Sequence, residues 1–363
     1  MKIGIVGLPQ SGKTTLFYAL AKTSKEIKYA GGVTKESHFS IIKVPDSRLD
    51  TLQQLTGKEE KIAATVEYLD VAGLEKGSTQ RKGFQEQFLG NLRNVDALLC
   101  VLRYFQNESV PHPEGSIDPK RDLAILEAEF LLSDLSILEG RIQKLESELK
   151  KVKNDEHQRE LELLKRCFQS LESEQPLREI EFTKEEEKLL RGFQFLTGKP
   201  ILLVLNISED DLGKEAEIGK EFSDLVVDNK RDLVCISAEL EMEIAQLSDT
   251  DAVTFRKEMG ISEAALHKVI RSSYHLLGLI SFFTIGQHEV RAWTIKHGTH
   301  AQAAAGAVHS DMERGFIRAE VVEFEILSNL GSMAKCKEQG LLRLEGKDYF
   351  VQDGDVITFR FNV

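Results

Sequence analysis

The sequence predicts an α/β protein built on a mostly parallel sheet, with an inserted antiparallel helical arm and a small C-terminal domain. Three observations carry that reading. Apolar runs at residues 2–6, 97–102 and 200–206 are each the length of one strand, and the last is apolar until it ends in Asn206, as in a parallel sheet covered on both faces. Between Asp122 and Leu171 the apolar residues instead recur at alternating steps of three and four, the seam of a coiled coil. From Leu279 onward glycine-punctuated segments alternate apolar and polar residues, at Ala319–Phe324 and Asp355–Phe361, which marks a separate α+β domain. The boundaries that follow are 1–121 and 197–278 for the two parts of the sheet domain, 122–196 for the helical insertion and 279–363 for the C-terminal domain.

With 363 residues, 41% of them hydrophobic, the chain has material for two or three cores. Cys100, Cys167, Cys235 and Cys336 show no C-x-x-C spacing, so neither a zinc site nor a disulfide framework is indicated and a reducing compartment fits. No apolar run approaches the ~20 residues of a membrane span, and the N-terminal strand lacks the basic stretch of a signal peptide, so a cytoplasmic protein without a membrane partner is expected. A monomer is expected as well. The net charge of -12 argues against a globally cationic nucleic-acid binder and leaves room only for a local basic patch.

The first strand runs into Gly7-Leu-Pro-Gln-Ser-Gly-Lys-Thr14 and then an amphipathic helix. This is the G-x-x-x-x-G-K-[ST] phosphate loop in its required strand, loop and helix context. Its glycines let successive N–H groups turn inward, and the helix adds its positive dipole end. Pro9, Gln10, Ser11, Gly12, Lys13, Thr14 and Thr15 are the expected phosphate-binding residues, with Lys13 reaching the β- and γ-phosphates and Thr14 offering its hydroxyl to Mg²⁺.

Further along, Thr34 lies in a loop whose hydroxyl and carbonyl can order on Mg²⁺ and the γ-phosphate, although a surface threonine without a role fits the spacing equally. Asp70-Val-Ala-Gly73 ends a strand, which suits Asp70 to a metal-bound water and the Gly73 N–H to the γ-phosphate. Leu74 stands where Ras-like enzymes carry a water-orienting glutamine, and residues 75–83 read as a second switch. His112 follows in a proline-rich loop, where a histidine is suited to water positioning or is simply exposed. The seam beyond Asp122 reads either as a projecting hairpin or as two amphipathic helices lying on the main domain, and Lys184 to Thr197 as one further helix.

Asn206-Ile-Ser-Glu209 occupies the base-reading position of this fold class, usually Asn-Lys-x-Asp in guanine-specific enzymes. Here Ile207 replaces the lysine and Glu209 the aspartate, which weakens guanine preference and leaves the Ile207 carbonyl for an adenine amine. Ser237-Ala238 matches the turn whose N–H groups close over the base. In the C-terminal domain His309, Asp311 and Arg318 are either an RNA-facing set or a polar cluster holding a turn, and Trp293 is expected in the core.

Taken together, Gly7–Thr14, Thr34, Asp70–Gly73, the segment at Asn206, Ser237–Glu241, Glu289–Ile295, His309–Glu320 and the final Glu-Gly-Lys-Asp-Tyr-Phe run resemble the YchF subfamily of Obg-related translation-factor GTPases over nearly the whole chain. The resemblance implies a P-loop G domain with a coiled-coil insertion and a C-terminal β-grasp module called TGS. It also implies hydrolysis of ATP as well as or better than GTP, Mg²⁺ as cofactor, association with the ribosome or ribosomal RNA, a role for Lys13, Gly73 and His112 in catalysis, and a switch function in translation or stress regulation. Gln10 departs from the asparagine that relatives associate with a potassium site, and Thr34 lacks the usual flanking aromatic and proline. A catalytically weak nucleotide-binding scaffold, working through its arm and TGS module, is the competing reading.

Overall fold

The computed structural model describes residues 1–24, 27–29, 37–71, 88–261 and 263–362; Thr34, Gly73 and the whole second switch, residues 75–83, lie outside them. The chain forms two units, Met1–Ser40 with Glu67–Val269 and Ile41–Val66 with Ile270–Val363.

In the first unit seven strands, β1 (Lys2–Val6), β2 (Ile27–Tyr29), β3 (Ser37–Lys43), β5 (Thr65–Val71), β6 (Ala97–Arg103), β7 (Ile201–Asn206) and β8 (Arg231–Ile236), lie in the order β2-β3-β5-β1-β6-β7-β8. β1 runs parallel to β5 and β6, β6 to β7 and β7 to β8, while β2 is antiparallel to β3. β6 and β7 are buried along their whole length, which is why they read as apolar runs. α1 (Lys13–Ser24) leaves the loop after β1, so the phosphate motif sits at the carboxyl edge of a central strand.

The insertion leaves β6 and returns to its neighbour β7. α4 (Pro119–Leu149) starts at Asp118, whose side chain accepts from the Arg121 N–H, with Pro119 in the first turn. α5 (Asp155–Glu172) is capped by Asn154 and folds back along it, with Arg141 bonded to both oxygens of Glu160 at 2.7 and 2.8 Å and Lys165 2.6 Å from Glu146. Both sequence readings hold in part. Leu123, Leu126 and Phe130 pack into the core of the sheet, whereas Leu138, Leu145, Leu161, Leu164 and Leu171 pack within the hairpin. The third helix, α6, spans only Lys184–Leu190 rather than reaching Thr197, and Gln194 a few residues on has φ 52, a left-handed conformation no helix continues through.

A polar network fastens the root of the arm. Asp134, with no exposed surface, accepts from the N–H groups of Leu196 (3.1 Å) and Thr197 (2.8 Å), the Thr197 hydroxyl (2.8 Å) and Arg93 Nη1 (2.9 Å). Arg93 ends α3, the helix of residues 88–93. Lys199 Nζ donates to the carbonyls of Arg93 and Val95 at 3.0 and 2.6 Å. Burial pulls the Lys199 ammonium down to about 8, against the pull of Asp96 and Asp134. The unfolded chain keeps this proton up to the ordinary lysine range, so between about pH 8 and 10 it binds more protons than the folded one, and stability should rise with pH there by on the order of 2 kcal/mol. Denaturant unfolding of wild type and Lys199→Met at pH 7, 8.5 and 10 checks this; parallel pH profiles for the two proteins would refute it.

The second unit carries a six-stranded sheet, β12-β11-β13-β9-β10-β4, from β4 (Glu60–Ile62), β9 (Leu279–Ile285), β10 (Glu289–Lys296), β11 (Phe316–Glu323), β12 (Arg343–Glu345) and β13 (Asp355–Phe361). α11 (Ala301–Val308) lays Ala301, Ala304 and Ala305 on one face against Phe282, Val321 and Phe359. Residues 44–64, the connection between β3 and β5, belong with this unit rather than the phosphate-loop domain, because β4 pairs with β10 and Arg48 bridges Asp46 and Asp353 at 2.8 and 2.7 Å. Trp293 is half-buried, its Nε1–H donating to Thr284 and Arg291 lying over its ring. His309 Nδ1 accepts from the Asp311 N–H at the start of a short helix and Asp311 pairs with Arg314, so these two residues hold a turn.

Candidate functional site

The phosphate loop is shaped by two backbone conformations open to glycine. Gly7 has φ 158 and a Cβ there would lie 2.5 Å from the Val101 carbonyl oxygen; Gly12 has φ 96 and its Cβ would lie 2.1 Å from Asn206 Nδ2. Pro9 and Gln10 form the outer crest, Gln10 at φ 63, a left-handed conformation that asparagine adopts more readily than glutamine. Ser11 Oγ is buried without a partner among the described residues.

Beneath the loop Lys13 is buried and donates to the Leu8 carbonyl at 2.7 Å. Burial brings its ammonium down to about 8, while Asp70 pushes the other way. Asp70, at the end of β5, is raised by burial against the opposing effects of Lys13, His38 and a hydrogen bond from Thr14. Three of the residues expected to handle phosphate and metal, Lys13, Thr14 and Asp70, are thus brought together.

Asn206 joins this cluster to the base side. Its Nδ2 donates to the Ser11 carbonyl at 2.9 Å and its Oδ1 accepts from the Ala238 N–H at 2.9 Å, which locks the phosphate loop to the Ser237-Ala238 turn. Ser237 caps α8 (Ala238–Ile244) by accepting from the Leu240 N–H. A cavity of about 670 Å³ opens beside the latch and is lined by Gln10, Gly12, Thr15, Asn206, Ile207, Glu209 and Ser237. Its remaining wall was missed in the sequence: Phe105, Asn107 and Val110 after β6, and Glu239 and Glu243 on α8. The available signal was position, since the crevice outside the carboxyl ends of central parallel strands is where such sheets bind ligands. Burial, then Glu243 and Glu239, raise the Glu209 carboxyl above its ordinary range.

His112 stands apart from this wall. Its Nδ1 accepts from the Glu114 N–H at 3.1 Å and its Nε2 donates to Asp122 Oδ2 at 2.9 Å, with the side chain 4% exposed. Asp122 is gripped in turn by Arg121. The histidine that reads as an exposed loop residue is therefore tied to the first turn of α4.

This geometry can be set beside known proteins. A 50S ribosome-binding GTPase family model matches residues 2–160, and a C-terminal YchF-GTPase model, described as a protein of unknown function (DUF933), matches residues 279–362. The ribosome-binding ATPase YchF of Bacillus subtilis is 41% identical over 99% of each chain. The chain belongs to the YchF family. The ribosome-binding ATPase YchF of Escherichia coli O157:H7 is 38% identical over 100% of this chain and 99% of its own. The solved Schizosaccharomyces pombe YchF GTPase superposes with a TM-score of 0.86 at 30% identity, covering 99% of this chain and 97% of that one. Family and fold together make the chain a P-loop nucleoside triphosphatase with a G domain on a mostly parallel sheet. Among the described residues no helix is long and apolar enough to cross a membrane.

Proposed function

We propose that the chain is a cytoplasmic, monomeric, ribosome-associated hydrolase of ATP, and of GTP as a second substrate, that acts as a nucleotide-dependent switch in translation or stress regulation. The observation that carries the nucleotide reading is the Asn206 latch, which sets a buried lysine, a hydroxyl and a carboxylate beside a cavity whose base edge bears Ile207 and Glu209. Relatives named ribosome-binding ATPases support the partner and the nucleotide.

Lys13 would leave the Leu8 carbonyl for the β- and γ-phosphates, and the N–H groups of Gly12, Thr14 and Thr15 would bind phosphate oxygens. Thr14 and Asp70 would supply the hard oxygen donors that suit Mg²⁺, and the hydrogen bond between them fits a shared site. When bound, Mg²⁺ neutralises charge on the phosphates. Thr34 and Gly73 would complete the γ-phosphate shell. The bond from Arg93 of α3 to Asp134 ties the sheet to α4 at the root of the arm. His112 would serve catalysis only after leaving Asp122.

That tether favours a second reading, a slow or inactive nucleotide-binding scaffold. Single-turnover hydrolysis with and without ribosomes separates the two: good ATP binding without turnover in either condition would sink the enzyme reading. For the base, the wild type should bind an ATP analogue at least as well as a GTP analogue, and Ile207→Lys with Glu209→Asp should move the ratio roughly tenfold toward GTP. A wild type with strong GTP preference would overturn the assignment of the base edge.

A further inference from the structure

The wall of the base cavity formed by Phe105, Asn107 and Val110 has no regular secondary structure, yet it is built around one buried cation. Arg103, the last residue of β6, is 2% exposed. Its Nε donates to the Phe105 carbonyl at 3.2 Å, and its Nη2 donates to the carbonyls of Asn107 at 3.4 Å and Val110 at 2.8 Å. The guanidinium carbon lies 4.5 Å from the centre of the Phe105 ring. The same three residues line the cavity. On their other side the Tyr104 and Phe105 N–H groups donate to the Asn206 carbonyl, so the wall and the latch share one anchor.

Burying a guanidinium is costly unless donors and charge are met. Among the described residues Nη1 has no partner, and the other nitrogens are met by carbonyls of this loop alone. A planar fork spreads its donors over separate nitrogens in fixed directions and so reaches three carbonyls spaced along one segment, whereas the three donors of lysine radiate from a single nitrogen at the end of a flexible stem.

We propose that Arg103 is a positioning residue for base recognition: by holding the carbonyls of Phe105, Asn107 and Val110 it fixes the wall against which a purine lies, so the affinity supplied by the base runs through it and the affinity supplied by the triphosphate does not. The inference rests on the nucleotide-site reading above. Its test is equilibrium binding of ATP and of inorganic tripolyphosphate, each with Mg²⁺, to the full-length wild type, Arg103→Met and Arg103→Lys.

Wild type should bind ATP more tightly than tripolyphosphate. Arg103→Met should lose roughly 10- to 100-fold for ATP and stay within about twofold for tripolyphosphate, with Arg103→Lys between them. Amide exchange should quicken at residues 105–110 and remain unchanged along β1 and α1. If Arg103→Met does not fold, Arg103→Lys carries the test through the same two ligands. Wild-type ATP affinity in the variants, or equal losses for both ligands, would overturn the proposal. A wild type that fails to bind either ligand, or binds them equally, would instead sink the nucleotide-site reading.

Discussion

Gly12→Ala is expected to abolish measurable triphosphate binding while leaving the chain folded. At φ 96 an L-residue is strained, and the new Cβ would stand 2.1 Å from Asn206 Nδ2. Asn206 must then withdraw, which breaks its bond to the Ser11 carbonyl and misaligns the one from the Ala238 N–H. Strain and two lost buried hydrogen bonds cost on the order of 4 kcal/mol in the loop, and because a bound triphosphate requires the latched conformation, the variant must regain that conformation on binding, which lowers affinity by up to roughly a thousandfold. Titration with a fluorescent ATP analogue and Mg²⁺ measures the loss, and far-ultraviolet circular dichroism reports the fold. Gly57→Ala is the matched control: it too has positive φ, at 62, but nothing lies within 4 Å of its Cβ, so binding should be unchanged. An affinity for Gly12→Ala within tenfold of wild type would show that the latch is dispensable.

Asp134→Ala should be the most damaging substitution for stability outside the site. It would remove an acceptor that has no exposure and serves Arg93, Leu196 and Thr197 together, leaving two backbone N–H groups unmet and the partly buried Arg93 guanidinium without its carboxylate, held only by the Gln194 carbonyl and the Ser133 hydroxyl. Breaking a buried pair of this kind costs about 3–5 kcal/mol. Asp134→Asn should lose less, since its amide oxygen can still accept from Arg93 and Leu196 while its Nδ2 opposes the Thr197 donors. Denaturant unfolding gives the magnitude, and amide exchange at residues 194–199 gives the place. A loss below about 1 kcal/mol for Asp134→Ala would mean that the root of the arm is held by its apolar contacts.

The phosphate loop was readable because its backbone demands particular residues at particular spacings: Gly7 and Gly12 avoid contacts no Cβ could make, and Lys13 and Thr14 follow at once. Asn206 was readable as a position but not as a latch, since its two bonds depend on the register that sets β7 beside β6 and β8. Phe105, Asn107 and Val110 escaped notice because what groups them is a side chain buried beneath them. His112 looked exposed because prolines flank it, and its partner Asp122 becomes one only when Asp118 and Pro119 start α4 between them. Residues 44–64 gave no sign of leaving the sheet domain, because three-residue β4 finds its partner far along the chain in β10. Long apolar runs were legible; short strands and buried polar ties were not.

The arm departs from β6 and re-enters at β7, two strands that lie side by side. Its first turns, through Phe130, are part of the sheet's cover, while the turns from there to Leu149 touch mainly the returning helix and its neighbours. At the α-helical rise that distal stretch reaches about 30 Å. Its length is therefore a free dimension of the molecule: two extra turns in each helix would carry the tip about 10 Å further without altering a bond at the nucleotide site, and the loss of two would shorten it as harmlessly. Reach toward whatever lies beyond the tip can be retuned by insertion and deletion alone, while Asp134 keeps the pivot where it is.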